Sequence, residues 1–348
     1  MAHKTLTGLV LQGGGSLGAY EHGLISGLFE QKPDLELSIV TGISIGALNA
    51  AVLVGGKNNT PAHPVKALDE LWERLTLIDW PFMPQSIQSN LAALGNPSMY
   101  AFRPETFLTP TMTTSIYDTT PLKNTLNDLI DFDKLNKSQT KVAVMASNIE
   151  TGEVETFGNE GGKMRVEHIL ASGSLPPGFP MTEIDGSFYW DGGLILNTPL
   201  GPVINHLEAL EGDYRQIIVV ELFPMKASIP SNMNEVFQRM IEMTFSSKLN
   251  LEQDLIKRVN SFIDLAQEID KEVLPESKLR QNKGFKKLIK HKKINELLTV
   301  VPSSPEPMGA SDFSKATLER RFKVGRRDGL KAAVSLAKAE KDWLESLA

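Results

Sequence analysis

The sequence of 348 residues contains no cysteine. Disulfide bonds, thiolate metal sites and a cysteine nucleophile are therefore excluded. The chain also lacks any run of about 18 consecutive apolar residues, which a membrane-spanning helix needs. Its first residues, MAHKTLTGLVLQGGG, carry one lysine and an apolar stretch too short for a signal peptide. We therefore expect a soluble, cytoplasmic protein.

Neither charge nor low complexity dominates the composition. Hydrophobic residues make up 41% of the chain, charged residues make up 22%, and the formal net charge is −6. These values are typical of a globular protein and not of a disordered or collagen-like chain. Because the chain is acidic and has no nucleic-acid-binding motif, we do not expect nucleic acid as a partner.

Short apolar segments alternate with helical patterns near the start of the chain. Residues 6–12 and 37–41 are apolar runs followed by glycine, which indicates buried strands. Residues 17–31 and 45–53 place apolar side chains on one helical face. This alternation predicts a parallel α/β sheet. Further strands are predicted at residues 141–146, 154–157, 188–190 and 216–222.

Two regions depart from this pattern. Residues 80–114 are rich in proline, methionine and aromatic side chains, which indicates an insertion packed on the sheet. Beyond Pro230 the strand pattern stops, and residues 234–272 and 312–347 are largely helical. The apolar stripe of the first of these helical segments consists of Met240, Met243, Leu251, Leu255, Val259, Phe262, Leu265 and Ile269.

A glycine-rich motif joins the first predicted strand to the first predicted helix. Residues from Gly13 to Gly18 (GGGSLG) match the pattern GxGxxG of dinucleotide-binding turns. Such a site also needs an acidic residue at the end of the second strand, and the nearest acids, Asp34 and Glu36, precede that strand. The sequence disfavours a dinucleotide. A tight structural turn and a loop whose N–H groups bind an anion remain as interpretations.

A second motif lies between the second predicted strand and the second predicted helix. Gly42-Ile43-Ser44-Ile45-Gly46 is GxSxG, the nucleophile elbow, in which small residues permit a sharp turn that exposes the serine. GxSxG alone is common by chance, but here the expected strand and helix flank it. Ser44 is therefore a candidate nucleophile, and the nearby glycine loop could donate N–H groups to an oxyanion.

A third motif, Asp191-Gly192-Gly193, directly follows the strand predicted at residues 188–190. Taken alone, this sequence is typical of a surface turn. The presence of the other two motifs makes the carboxylate of Asp191 a candidate catalytic group.

The order and wide separation of these motifs resemble the patatin-like phospholipase family. QGGGSLG corresponds to the family's oxyanion loop, GISIG to its nucleophile elbow and DGG to its DG[AG] motif. Ser44 follows Gly13 by 31 residues, and Asp191 follows Ser44 by 147. The likeness runs from about residue 6 to residue 223, and the C-terminal part resembles an extra region of one bacterial branch.

The resemblance implies a three-layer α/β/α fold with a mostly parallel central sheet and a helical C-terminal cap region. It implies a catalytic domain over residues 5–225, with the apolar insertion at about 80–114, and a helical region over 230–348 that packs on it. One departure is Leu17, where many members carry Arg or Lys. Without that charge, esters other than phospholipids remain candidate substrates.

The resemblance also implies a serine acyl hydrolase that needs no cofactor or metal. Ser44 would be the nucleophile and Asp191 its general base, and the reaction would pass through an acyl-enzyme. The oxyanion hole would be formed by the main chain of Gly13, Gly14, Gly15 and Ser16. The glycines that support these turns would be Gly18, Gly42, Gly46, Gly192 and Gly193.

Two alternatives to this dyad remain open at the level of sequence. His168 or His206 could complete a triad with the serine, although either is more often a structural histidine. The chain could also be a lipid-binding or regulatory protein that keeps the fold with little turnover.

A basic segment begins at Lys278 and ends at Lys293 (KLRQNKGFKKLIKHKK). It contains eight Lys and Arg residues and no acid, and Phe285, Leu288 and Ile289 lie among these charges. This composition suits peripheral contact with an anionic lipid surface, such as the inner face of the membrane. A solvated helix face is the alternative interpretation. The insertion at residues 80–112 and the Met-rich helix after Asn234 could form an acyl channel, a lid or a plain cap.

Overall fold

The computed structural model describes residues 3–77, 94–223, 228–246, 249–303 and 309–347. Its strands are β1 (Thr5–Leu11), β2 (Ile39–Gly42), β3 (Gly95–Asn96), β4 (Tyr100–Phe102), β5 (Tyr117–Asp118), β6 (Lys141–Asn148), β7 (Val154–Gly158), β8 (Thr182–Ile184), β9 (Ser187–Asp191), β10 (Tyr214–Val220) and β11 (Glu296–Val300). Its α-helices are α1 (Gly18–Gln31), α2 (Ile45–Gly55), α3 (Lys66–Leu75), α4 (Glu105–Leu108), α5 (Thr120–Leu129), α6 (Phe132–Lys137), α7 (Val166–Ser172), α8 (Leu200–Ala209), α9 (Met233–Phe245), α10 (Leu249–Glu272), α11 (Lys283–Leu288) and α12 (Lys315–Ser346).

Eight strands form the central sheet in the order β11-β10-β1-β2-β6-β9-β8, and β7 pairs with β6 outside this order. The five strands from β11 to β6 are parallel, whereas β7, β8 and β9 pair antiparallel. Every strand that the sequence predicts is present within a few residues of its expected position. The expected mostly parallel sheet is therefore confirmed.

Helices cover both faces of this sheet. Alternate side chains of β1 enter opposite apolar clusters, Leu9 and Leu11 with residues of α1, α2 and α12, and Leu6 and Val10 with residues of α8. Because both faces are covered, β1 and β10 are almost wholly buried. The molecule has the three layers α/β/α.

The last helix packs directly against the first. A Cβ at Gly23 of α1 would lie 2.1 Å from the carbonyl oxygen of Phe322, and a Cβ at Gly325 of α12 would lie 2.0 Å from that of Tyr20. The glycines therefore allow the two helix backbones to touch. This contact anchors the C-terminal part on the face of the sheet that α1 and α2 also cover.

The expectation that strands end beyond Pro230 is wrong for residues 296–300. These residues form β11, which extends the sheet in parallel beside β10. Only Val300 of this strand is fully buried. Its sequence ELLTV therefore lacks the continuous apolar pattern that identifies β10, and its partner strand decides its conformation.

The helices predicted at residues 234–272 are present as α9 and α10, but their apolar stripe is not a packed face. The described side chains of that stripe are exposed, namely Met240, Met243, Leu255, Val259, Phe262, Leu265 and Ile269. The spacing of the apolar residues thus predicts the two helices correctly, but it does not predict that the apolar stripe is exposed.

The predicted insertion is separate from the central sheet. Strands β3, β4 and β5 form a small antiparallel sheet of their own, and the first part of the insertion, up to residue 93, lies outside the described residues. Tyr100 and Tyr117 of this small sheet pack on Phe179, with ring centroids 5.6 and 6.1 Å apart. Among the described residues, no helix is both long and apolar enough to cross a membrane.

Candidate active site

Ser44 occupies the sharp turn between β2 and α2. Its φ of 54° and ψ of −121° lie outside the regions that non-glycine residues commonly adopt, as a strained nucleophile elbow requires. A Cβ at Gly46 would lie 2.6 Å from the carbonyl oxygen of Leu11, and a Cβ at Gly42 would lie 2.2 Å from the carbonyl oxygen of Gly46. Both motif glycines are needed because main-chain atoms approach so closely.

Strand β6 brings Asp191 beside this turn. Strand β2 pairs with residues 141–144 of β6, and β9 pairs with residues 146–148. Because β7 pairs with overlapping residues of β6, β2 and β9 must share the opposite edge. Asp191 is the last residue of β9 and lies opposite Ala146, just past the end of β2. One strand thus brings together two residues that are distant in sequence.

The Asp191 side chain is buried, with 2% of its surface exposed. Burial raises the pKa of Asp191 to about 7, although hydrogen bonds from the Ser44 hydroxyl and the Gly193 N–H oppose this rise. The Gly193 nitrogen lies 2.7 Å from Asp191 Oδ1. A solvated aspartate, with a pKa of about 3.9, is a weak base at neutral pH. The raised pKa of the buried Asp191 lies closer to neutral pH, which suits a general base better.

Asn197 fixes the first residue of the glycine loop. Its Oδ1 accepts the Gly13 N–H at 3.1 Å, and its Nδ2 donates to the Gly13 carbonyl at 3.1 Å. The same Nδ2 donates to the carbonyl of Phe245, the last residue of α9, at 2.9 Å. Sequence reasoning did not assign this role to Asn197. Its only signal was its place in the segment NTPL shortly after DGG.

Ser16 is held from the other side. Its N–H donates to the carbonyl oxygen of Ala310 at 2.7 Å. Gly13 and Ser16 were both expected to belong to the oxyanion hole, and in the structure their N–H groups already have acceptors. Among the described residues, the N–H groups of Gly14 and Gly15 have no hydrogen-bond partner. The N–H groups of Gly14 and Gly15 are therefore the remaining candidate donors of the oxyanion hole.

The remaining motif glycines also lie at close contacts. A Cβ at Gly18 would lie 2.5 Å from Ile45 at the start of α2, and a Cβ at Gly192 would lie 2.5 Å from the carbonyl oxygen of Met145. A Cβ at Gly193 would lie 3.0 Å from Asp191 Oδ1. The absence of a Cβ at these glycines allows the three motifs to lie close together at one edge of the sheet.

The glycine loop, Ser44 and Asp191 open into one cavity of about 1150 Å³. Most of its wall is apolar. The insertion contributes Met99 and Tyr100, and α9 contributes Ile241 and Phe245. Both segments expected to form a channel or cap therefore line the cavity.

The histidines lie elsewhere. All six are among the described residues, and none lines the cavity. His168 accepts the Arg165 N–H through Nδ1 at 3.0 Å and stacks on a phenylalanine, while His206 lies 3.7 Å from Glu160. Burial lowers the pKa of both His168 and His206. The geometry thus offers no support for a triad.

The basic segment is partly engaged with acidic side chains. Arg280 pairs with Asp270 at 2.7 Å, and Lys293 pairs with Asp264. The lysines of α11 are exposed. In the described part of the chain, no three His, Asp or Glu side chains are grouped so that they could hold a metal ion.

Comparison with known proteins agrees with this architecture. A family model described as Patatin-like phospholipase matches residues 9–204. The chain therefore belongs to the patatin-like phospholipase family. No match was found among curated proteins.

Two solved structures are similar to the chain at low identity. One is VipD from Legionella pneumophila, with 14% identity and a TM-score of 0.41, over 96% of this chain and 67% of that one. The other is the heterodimeric ExoU–SpcU complex from the type III secretion system of Pseudomonas aeruginosa, with 16% identity and a TM-score of 0.40, over 97% of this chain. The chain spans about half, 52%, of the length of that second match.

Proposed function

We propose that this chain is a serine acyl hydrolase that cleaves the ester bonds of lipids or of related acyl esters. One observation carries the proposal. The Ser44 hydroxyl is hydrogen-bonded to a buried carboxylate, Asp191, whose pKa is about 7. This pair lies in a cavity with an apolar wall, beside the N–H groups of Gly14 and Gly15, which have no acceptor within the described part of the chain.

In the proposed reaction, Ser44 Oγ attacks the ester carbonyl while Asp191 accepts the hydroxyl proton. The negative charge that develops on the carbonyl oxygen is stabilised by the N–H groups of Gly14 and Gly15. Collapse of the tetrahedral intermediate breaks the ester C–O bond, and Asp191 returns the proton to the leaving alcohol. Water then hydrolyses the acyl-enzyme, with Asp191 again acting as the base.

The cavity supports a substrate with a substantial apolar part. Its volume of about 1150 Å³ exceeds the roughly 300–1,000 Å³ of ordinary ligand pockets. An acyl chain placed along this wall would bring its ester carbon to Ser44.

We also propose the division into a catalytic domain at residues 5–225 and a C-terminal region at residues 230–348. The second region supplies β11 to the sheet and places Ala310 on the glycine loop. Its basic segment, residues 278–293, would make peripheral contact with anionic lipid on the cytoplasmic side of a membrane.

Purified protein assayed on a panel of phospholipids, acylglycerols and short-chain esters tests the proposal. We expect turnover by the wild type and a loss of at least about 1,000-fold in Ser44→Ala and in Asp191→Asn. Binding of lipid vesicles without turnover of any ester would instead support the lipid-binding alternative. Loss of activity in His168→Ala or His206→Ala, with Asp191→Asn active, would replace the dyad by a triad.

A further inference from the structure

Arg321 is a charged side chain in the interior of the molecule. It lies on α12, and only 1% of its surface is exposed. It shares the buried face of that helix with Thr317 and Gly325, one helical turn away on either side. Arginine is almost never so buried without partners, because removing its charge from water is costly.

The partners of Arg321 lie at the glycine loop. Its Nη1 donates to Ser16 Oγ at 2.6 Å and to the Asp312 carbonyl at 3.4 Å, and its Nη2 donates to the Gly309 carbonyl at 3.3 Å. The guanidinium thus joins the loop to residues 309–312. The carbonyl of Ala310, which accepts the Ser16 N–H, lies between these two contacts in sequence.

Residues 309–312 are themselves tied to the start of α12. The Asp312 carboxylate accepts the Ser314 N–H at 2.9 Å and the Thr317 hydroxyl at 2.7 Å. Burial opposes ionisation of Asp312, but the hydrogen bonds from Ser314 and Thr317, together with the nearby charge of Arg321, hold its pKa below the usual range. The segment that rests on Ser16 is thus fixed by the same helix that carries Arg321.

These contacts flank Gly14 and Gly15, whose N–H groups have no acceptor among the described residues. Asn197 holds Gly13 at one end of the loop, and Arg321 with Ala310 holds Ser16 at the other end. Gly14 and Gly15 lie between these two residues, and as glycines they have no side chain that could hold the main chain in place. Arg321 also lines the cavity that contains Ser44.

We propose that Arg321 is a positioning residue of the active site, which holds the Gly14 and Gly15 N–H groups towards the ester oxygen and supplies positive charge that Leu17 does not. The inference rests on the proposed hydrolase function. It assigns part of the active site to the C-terminal helix, more than 300 positions away from the loop in sequence. Loss of Arg321 should therefore weaken stabilisation of the transition state more than binding of the ester.

The test compares Arg321→Ala with Arg326→Ala, a control on the same helix whose arginine pairs with Glu30 at the surface. Both are assayed on a soluble short-chain ester, and titration with a fluorophosphonate gives the fraction of active protein. We expect kcat per active site to fall about 100-fold in Arg321→Ala, as for loss of an oxyanion donor. KM should change less than about threefold, and Arg326→Ala should match the wild type.

Rescue by guanidinium ion distinguishes a positioning role of Arg321 from a role in stability alone. Guanidinium ion at millimolar concentration should raise the kcat of Arg321→Ala at least about tenfold, whereas sodium chloride at equal ionic strength should not. A wild-type kcat per active site in Arg321→Ala would overturn the inference, as would a loss confined to the fraction of active protein. Neither result would affect the proposed function, which is tested separately by turnover in the wild type and its loss in Ser44→Ala.

A second variant is decisive if Arg321→Ala does not fold. Ser16→Ala removes only the hydroxyl that accepts from Arg321 and keeps the main chain. We expect it to fold with a kcat lowered about tenfold at an unchanged KM. A wild-type kcat in folded Ser16→Ala would then overturn the inference.

Discussion

At the scale of single residues, the chemistry depends on how a buried carboxylate titrates. Asp191 must be ionised to accept the Ser44 proton, and burial raises its pKa to about 7. On a soluble ester, kcat/KM should therefore rise about tenfold per pH unit below pH 7 and level off above it. A pH–rate profile with a non-ionisable substrate measures this. A profile that stays flat down to about pH 5 would contradict Asp191 as the base.

The same residue should lower stability at alkaline pH. Its folded-state pKa is raised from 3.8 to about 7, so its stabilising contribution is full below the unfolded pKa and is lost as the pH rises through about 7. Asp191→Asn stays neutral at every pH. The Tm of Asp191→Asn minus the Tm of the wild type should therefore be larger at pH 8 than at pH 4. Thermal unfolding at both pH values checks this, and a Tm difference independent of pH would show that ionisation of Asp191 is not disfavoured by folding.

At the scale of elements, the glycine loop between β1 and α1 is held at its two ends and left open in the middle. A Cβ at Gly14 would lie 2.7 Å from Leu222 and 3.3 Å from Leu17. Gly14→Val should therefore displace the loop and lower kcat by about 100-fold, with little effect on KM.

The control for this prediction is Gly201→Val, at a position in α8 where a Cβ meets no atom within 4 Å. Steady-state kinetics on one soluble ester compares the two variants. If Gly14→Val raises KM and keeps its kcat, the loop binds the ester rather than its oxyanion.

At the scale of the whole molecule, the basic segment offers a surface for anionic lipid. Lys286, Lys287 and Lys290 are exposed, and each basic residue near such a surface contributes about 1 kcal/mol. Replacing all three with Gln should lower the affinity for anionic vesicles by roughly 100-fold and leave hydrolysis of a soluble ester unchanged. Vesicle sedimentation at low and high salt measures this, because salt should mimic the substitution.

A matched triple variant replaces exposed lysines of α12 with Gln, namely Lys315, Lys331 and Lys338. It should bind vesicles like the wild type. Equal losses in the two triple variants would show that net charge, and not this segment, drives the binding.

Most of the sheet could be predicted because its central strands are buried on both faces. Such strands appear in the sequence as continuous apolar runs, and glycines mark their ends beside the elbow and the loop. Strand β11 could not be found this way, because four of its five residues are only partly buried. The exposed stripe of α9 and α10 was misjudged because periodicity records a helix but not what covers it.

The candidate site was predictable only where a local motif carries it. Ser44 and Asp191 belong to short motifs with a known mechanical reason for each glycine. Asn197, Ala310 and Arg321 act through contacts between distant segments, which no local pattern records. The one signal for Arg321 was a charged residue on the same helical face as Thr317, where apolar or small residues are the rule.

The most direct test of the central claim is the mass and site of a covalent adduct. Incubation of the wild type with a fluorophosphonate, followed by peptide mass spectrometry, should place one adduct on Ser44, and Asp191→Asn should react at least about 100-fold more slowly. Ser44→Ala should remain unlabelled. An adduct on another residue, or labelling of Asp191→Asn at the wild-type rate, would contradict the dyad.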